Sequence, residues 1–186
     1  NIDLTLLISK KYPLKKAILK KLEKIVISSK ELSFKNLFEK NSFVFDMNNC
    51  FTFSPKSYIP NPDNRSGNFN KHKYEYVHKF DSDEEYKIAL YIDKLPNVST
   101  WIRNIDKDSL NSFWLQTANG KFYPDFIINF SNGKTVVAEY KGKVYIPEYE
   151  KTKKPVGDAW GQLDVNFKFL SLYDDNYMSQ LDEVGK

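Results

Sequence analysis

Residues 123–142 constrain the fold more than any other stretch. The run Tyr123-Pro124-Asp125-Phe126-Ile127-Ile128-Asn129-Phe130 leads through Ser131-Asn132-Gly133-Lys134 into Thr135-Val136-Val137-Ala138-Glu139-Tyr140-Lys141-Gly142. Two β-prone runs flanking an Asn-Gly turn predict an antiparallel hairpin. What each register would bury decides between the alternatives. A two- or four-residue loop sets Phe126 against Glu139 and Asp125 against Tyr140. A three-residue loop, Ser131-Asn132-Gly133 with Gly133 left-handed, sets Asp125 against Glu139, Phe126 against Ala138 and Ile127 against Val137. Only the second sorts the faces: Phe126, Ile128, Phe130, Val136, Ala138 and Tyr140 share one, while Asp125, Glu139 and Lys141 gather at one end of the other. A charge buried opposite Phe is costly, so the three-residue loop is expected.

Two carboxylates held side by side repel unless a cation joins them. An all-oxygen donor set points to Mg²⁺ or Mn²⁺ rather than zinc. Lys141, on the same face, could hold an attacking water or offset charge building on a phosphate. Asp, Glu and Lys so placed suffice for phosphodiester hydrolysis; a surface ion pair between Glu139 and Lys141 is the plain alternative. Glu85 could add a third carboxylate, but Ser82-Asp83-Glu84-Glu85 also reads as a capping box, with Ser82 at the N-cap and Glu85 reaching back to its N–H. Lys151, Lys153 and Lys154 open a later helix and could meet a phosphate, although a solvated charge run is the commoner explanation. Trp101 and Trp160 read as core residues. His72 and His78 read as loop and strand residues without zinc spacing. No phosphate-cradling glycine loop and no Ser–His–Asp or Cys–His nucleophile occurs.

Along the chain, Pro13 can sit in the first turn of a helix running to about Ser28, with Leu14, Ala17, Ile18, Leu22, Ile25 and Val26 forming an apolar face that packs on a neighbour. A second short helix is expected over 34–39, and a hairpin around Asn48-Asn49. Residues 55–73 are rich in Pro, Asn and Gly and read as a long loop. From Phe80 the order is a helix over 83–95, strands near 98–105, 112–117, 122–130 and 135–141, a helix over 153–163 and a strand over 167–173. That is a mixed α/β domain with one central sheet. The expected divisions are a helical and hairpin linker (1–54), a loop and connector (55–79), the α/β domain (80–175) and a polar tail (176–186).

Composition excludes several classes. With 186 residues, 41% of them hydrophobic and 28% charged, the chain can bury a core without disulfides, and Cys50 has no partner. The longest apolar run, Ile88 to Ile92, is far short of the ~20 residues of a membrane helix. No secretory signal opens the chain, so a reducing, cytoplasmic setting is expected. Beginning at Asn1 and ending in a polar stretch, it reads as a segment of a longer protein. The net charge of +4 is uneven: residues 1–40 hold ten basic and four acidic residues. Lys supplies nearly all of it, which suits nonspecific phosphate contact better than base reading.

Pro124-Asp125 … Glu139-Tyr140-Lys141-Gly142 resembles the PD-(D/E)XK nuclease motif. Residues 80–173 more closely resemble the C-terminal endonuclease domain of the Res subunit of type III restriction–modification systems. The likeness extends to Phe80-Asp81-Ser82 with Glu85, Ala89 and Asp93, to Trp101-Ile102-Arg103-Asn104, to Phe113-Trp114-Leu115, and to Lys153 with Gly157 and Trp160. It implies a restriction-endonuclease-like αβββαβ core with a central mixed sheet, preceded by a helical segment. It implies Mg²⁺-dependent cleavage of double-stranded DNA. Asp125, Glu139 and the Tyr140 carbonyl would be metal ligands, and Lys141 would position the water. Glu85 would be a catalytic helix acid, reaching the metal through water, and Lys153 a DNA contact. An upstream superfamily-2 helicase and a modification methyltransferase would be the partners, with no membrane. A catalytically silent nuclease-fold module for DNA or partner docking is the alternative.

Overall fold

The structure, a computed structural model, describes residues 8–39, 52–58, 67–77, 80–106 and 111–186. The chain divides into two compact units, residues 1–45 with 117–120 and residues 46–116 with 121–186. In the first, α1 (Lys11–Glu39) is one continuous helix. The two helices expected here merge because nothing between Leu14 and Glu39 breaks them: there is no Gly or Pro, and the Ser28-Ser29 pair costs only tenths of a kcal/mol, on the order of ordinary propensity differences. On α1, Leu14, Ile18, Leu22, Ile25 and Val26 are each about half exposed. The hairpin expected around Asn48-Asn49 lies outside the described residues, as does His78.

The second unit is mixed α/β. Its elements are α2 (Asp83–Lys94), β1 (Val98–Arg103), β2 (Leu115–Thr117), β3 (Gly120–Phe122), β4 (Phe126–Phe130), β5 (Thr135–Tyr140), α3 (Ile146–Thr152), α4 (Lys154–Gly161), β6 (Phe167–Leu172) and α5 (Tyr177–Val184). The main sheet has the order β1-β4-β5-β6, and β2 with β3 forms a separate two-stranded sheet. β1 and β5 run antiparallel to β4, and β6 runs parallel to β5. The sheet is therefore mixed, and the helices between β5 and β6 supply the crossover that a parallel pair requires.

The hairpin has the three-residue loop. Phe126 pairs with Ala138 and Ile127 with Val137. Gly133 takes a positive φ of 87°, and Phe130 N–H donates to the Lys134 carbonyl at 2.9 Å. Phe126, Ile128, Phe130, Val136, Ala138 and Tyr140 all belong to one buried cluster, joined by Ile88, Ala89 and Ile92 of α2 and by Leu181 and Val184 of α5. On the other face, Gly157 of α4 lies so close to Phe169 of β6 that a Cβ would stand 2.4 Å from its ring.

Several boundaries differ from expectation. The single strand expected over 122–130 is two, because Tyr123-Pro124-Asp125 interrupts it and Pro124 has no N–H for a ladder. The helix expected over 153–163 is α4, and a further helix not expected, α3, precedes it, the two meeting at Lys153. Residues 67–77, within the expected connector, close the free edge of β1. Trp101 N–H donates to the Lys71 carbonyl (3.0 Å), and Lys73 N–H to the Trp101 carbonyl (2.9 Å). Asp93 fixes this segment by accepting from Asn70 N, Lys71 N and Trp101 Nε1 at 2.8–3.0 Å.

The polar tail is in fact α5, whose Leu181 and Val184 are fully buried. Leu181→Ala is therefore expected to cost about 2–5 kcal/mol in urea unfolding; a loss below about 0.5 kcal/mol, typical of a surface site, would mean α5 is not docked.

Candidate active site

The site is built where β4, β5, β1 and α2 meet. Asp125 stands one residue before β4, so the register carries it next to Glu139. Its backbone is held first: Asn104 N–H donates to the Asp125 carbonyl (2.8 Å), and the Asn104 side chain donates to the carbonyls of Pro124 (2.7 Å) and Phe113 (2.8 Å). Its carboxylate then takes the place of a backbone acceptor. Tyr140 N–H donates to Asp125 Oδ2 at 2.8 Å, tying the start of β4 to the end of β5.

Glu139 is 2% exposed. Lys141 Nζ lies 2.6 Å from Glu139 Oε1, and Glu139 Oε2 is buried without a hydrogen-bond partner among the described residues. Burial, and next the charge of Asp125, push the Glu139 carboxyl well above the ordinary carboxylate range, against the opposing Lys141 and Lys153 charges. Burial disfavours the Lys141 ammonium, but Glu139 and Asp125 outweigh it and hold the ammonium protonated. Lys153, half-buried where α3 meets α4, has its Nζ 5.2 Å from the Phe122 ring centre.

Glu85 fulfils part of its capping role. Ser82 is the N-cap of α2 and accepts from Glu85 N–H, but the Glu85 carboxylate accepts from Asp81 N (3.2 Å) rather than from Ser82. The same oxygen, Oε2, takes Arg103 Nη2 at 2.9 Å. Burial, then the charge of Asp125, raise its pKa to about 7 despite Arg103.

Arg103 is the residue the sequence reading passed over. It is 4% exposed at the end of β1. Its Nη1 donates to Asn104 O (2.9 Å), Asp125 O (3.1 Å) and Asp125 Oδ1 (3.3 Å). Its guanidinium carbon lies 5.7 Å from the ring centres of both Phe80 and Phe126. The available signal was an arginine inside the apolar run Val98–Ile105, where a charge must find partners. Trp101 is fully buried, as expected; Trp160 is half-buried and stacks on Phe167 at 4.8 Å.

Asp125, Glu139 and Lys141 thus come together, with Lys153 within electrostatic reach of Glu139 and Glu85 joined through Arg103. The donor set fits a hard cation: the Asp125 and Glu139 oxygens carry lone pairs beyond those already engaged, and Glu139 Oε2 is a buried acceptor with nothing to accept. Among the described residues, no three carboxylate, histidine or cysteine side chains form a ready-made metal cage. None of the described helices is long and apolar enough to cross a membrane. No protein-family model, no curated protein and no solved structure matches the chain.

His72 supports the site from behind. Its Nε2 accepts from Arg103 N–H (3.0 Å) and its Nδ1–H donates to the Tyr74 carbonyl (2.9 Å). Burial lowers its pKa from 6.5 to about 4, against the Tyr74 carbonyl and Asp93. The unfolded chain therefore takes up a proton near pH 6.5 that the folded chain refuses until about pH 4. The stability this contributes is complete above pH 6.5 and is lost as pH falls through that window. His72→Gln, whose carbonyl oxygen can accept the same N–H without titrating, should lose about 2–3 kcal/mol less between pH 7 and pH 4 than the unchanged protein. Urea unfolding at both pH values checks this, and equal losses would reject it.

Proposed function

We propose that the chain is a Mg²⁺- or Mn²⁺-dependent DNA endonuclease domain of PD-(D/E)XK type, resembling the C-terminal domain of Res subunits of type III restriction systems. In such a protein a superfamily-2 helicase precedes the nuclease and a modification subunit chooses the target. The observation that carries the reading is the meeting of Asp125 and Glu139 beside Lys141, with one buried Glu139 oxygen that has no hydrogen-bond partner among the described residues. The order of elements supports the matching fold. Counted over the main sheet alone, with β2 and β3 set aside, one helix, three antiparallel strands, a helical crossover and a parallel strand are consistent with the αβββαβ order of a restriction-endonuclease-like core.

Asp125 and Glu139, with the Tyr140 carbonyl, would hold the cation. When bound, Mg²⁺ supplies Lewis acidity for phosphodiester hydrolysis. Lys141 orients the attacking water and offsets charge on the phosphoryl group. Lys153 meets the DNA backbone, a contact that gives affinity without sequence reading. A silent docking module has one observation in its favour: Lys141 closes on Glu139, and both Asp125 oxygens already have donors.

Nicking of supercoiled plasmid separates the two. The chain should nick with Mg²⁺ or Mn²⁺ and not with chelator, and Glu139→Gln should slow nicking by about a hundredfold or more. A Glu139→Gln variant that nicks at the original rate, or a chain that never nicks, would reject the catalytic reading.

A further inference from the structure

We propose that Glu85 is a positioning residue and not a ligand of the cation: it holds the Arg103 guanidinium, and Arg103 in turn fixes the carboxylate of Asp125. The inference rests on the metal site proposed above and concerns how that site is kept in shape.

One guanidinium divides its two amino groups between the two acids. Nη2 donates to Glu85 Oε2 at 2.9 Å, while Nη1 reaches Asp125 Oδ1 at 3.3 Å and the carbonyls of Asp125 and Asn104. The planar fork fixes the relative placement of everything it touches. Asp125 is then gripped from two sides, by Arg103 at Oδ1 and by Tyr140 N–H at Oδ2, so the direction of its remaining lone pairs is set. Glu85 is itself anchored at the start of α2, where Oε2 also accepts from Asp81 N–H. The chain of contacts runs from the first turn of α2, through the end of β1, to the residue before β4.

A cation that took Glu85 as a ligand would have to draw it away from Arg103. That would take from Nη2 its 2.9 Å acceptor, with Asp81 at 3.7 Å, in a guanidinium that is 4% exposed and lies against the rings of Phe80 and Phe126. Breaking a buried ion pair on one side costs far more than leaving it whole. The lack of any three-ligand group among the described residues fits the same division: Asp125 and Glu139 face the cation, and Glu85 faces Arg103.

Isothermal titration of the full chain with Mn²⁺, alongside melting temperatures, tests this on E85Q, E85A and R103K, with E139Q as the control for the site itself. E85Q keeps a carbonyl that accepts from Arg103 and should bind Mn²⁺ within about threefold of the unchanged chain, since supporting bonds rather than ligands are at stake. E85A loses that acceptor, and R103K keeps the charge but not the fork; both should bind about 10–100-fold more weakly. If E85Q binds as weakly as E85A would on ligand loss, more than about tenfold down, Glu85 is a ligand and the proposal falls. If R103K binds as well as the unchanged chain, or the variants melt earlier while Mn²⁺ affinity stays the same, Arg103 is only structural and the proposal also falls. Should E85A not fold, E85Q and R103K decide. A chain that binds no Mn²⁺, or binds it equally as E139Q, removes the metal site and this inference with it, a result distinct from the others.

Discussion

A guanidinium cannot be buried without partners, and the organisation of this site follows from where Arg103 finds them. Its acids come from α2 and from the residue before β4, its carbonyls from Asp125 and Asn104. Its own N–H is taken by His72 from the segment that closes the edge of β1. One residue, through its guanidinium and its own N–H, thus joins a helix, two strands and an edge segment. For Arg103 the attraction of Asp125, Glu85 and Asp81 outweighs the burial that would otherwise discharge it, whereas for Glu85 burial prevails. Glu139 is held differently: Lys141 closes on one oxygen, Lys153 acts on it at longer range, and among the described residues its second oxygen has no partner. Asp125 thus has a donor on each oxygen and Glu139 on one, and the lone pairs left over are what the proposed cation would use.

The fold around this point was partly legible in the sequence. The hairpin register could be read because only one pairing keeps Glu139 off Phe126, and because Gly133 tolerates the left-handed turn the loop needs. The α2 boundary was legible from Ser82, and the mixed α/β class from the order of periodicities. What could not be read was set by distant packing. Leu181 and Val184 are two apolar residues in a polar stretch, and nothing local says that they will be covered by the sheet and α2. The break at Tyr123-Pro124-Asp125 was signalled by Pro124 but masked by the β-prone residues on either side. On α1, the regular spacing of Leu14, Ile18, Leu22 and Ile25 predicted a helix correctly.

The candidate site divides in the same way. Asp125, Glu139 and Lys141 were legible because strand geometry alone brings them together. Glu85 was legible as a cap, yet its second role depends on Arg103, eighteen residues away in sequence. Arg103 and Asn104 act through backbone carbonyls at Pro124 and Asp125, and no residue pattern advertises a carbonyl as a partner. The half-buried Lys153 owes its place to the break between α3 and α4, and α3 itself was not read from the sequence.

The most direct measurement is the position of Mn²⁺ by anomalous scattering in crystals of the chain soaked with the ion. The account predicts one peak within about 2.5 Å of oxygens from both Asp125 and Glu139, with Glu85 still on Arg103. A peak elsewhere, or none at a concentration that supports nicking, would contradict it.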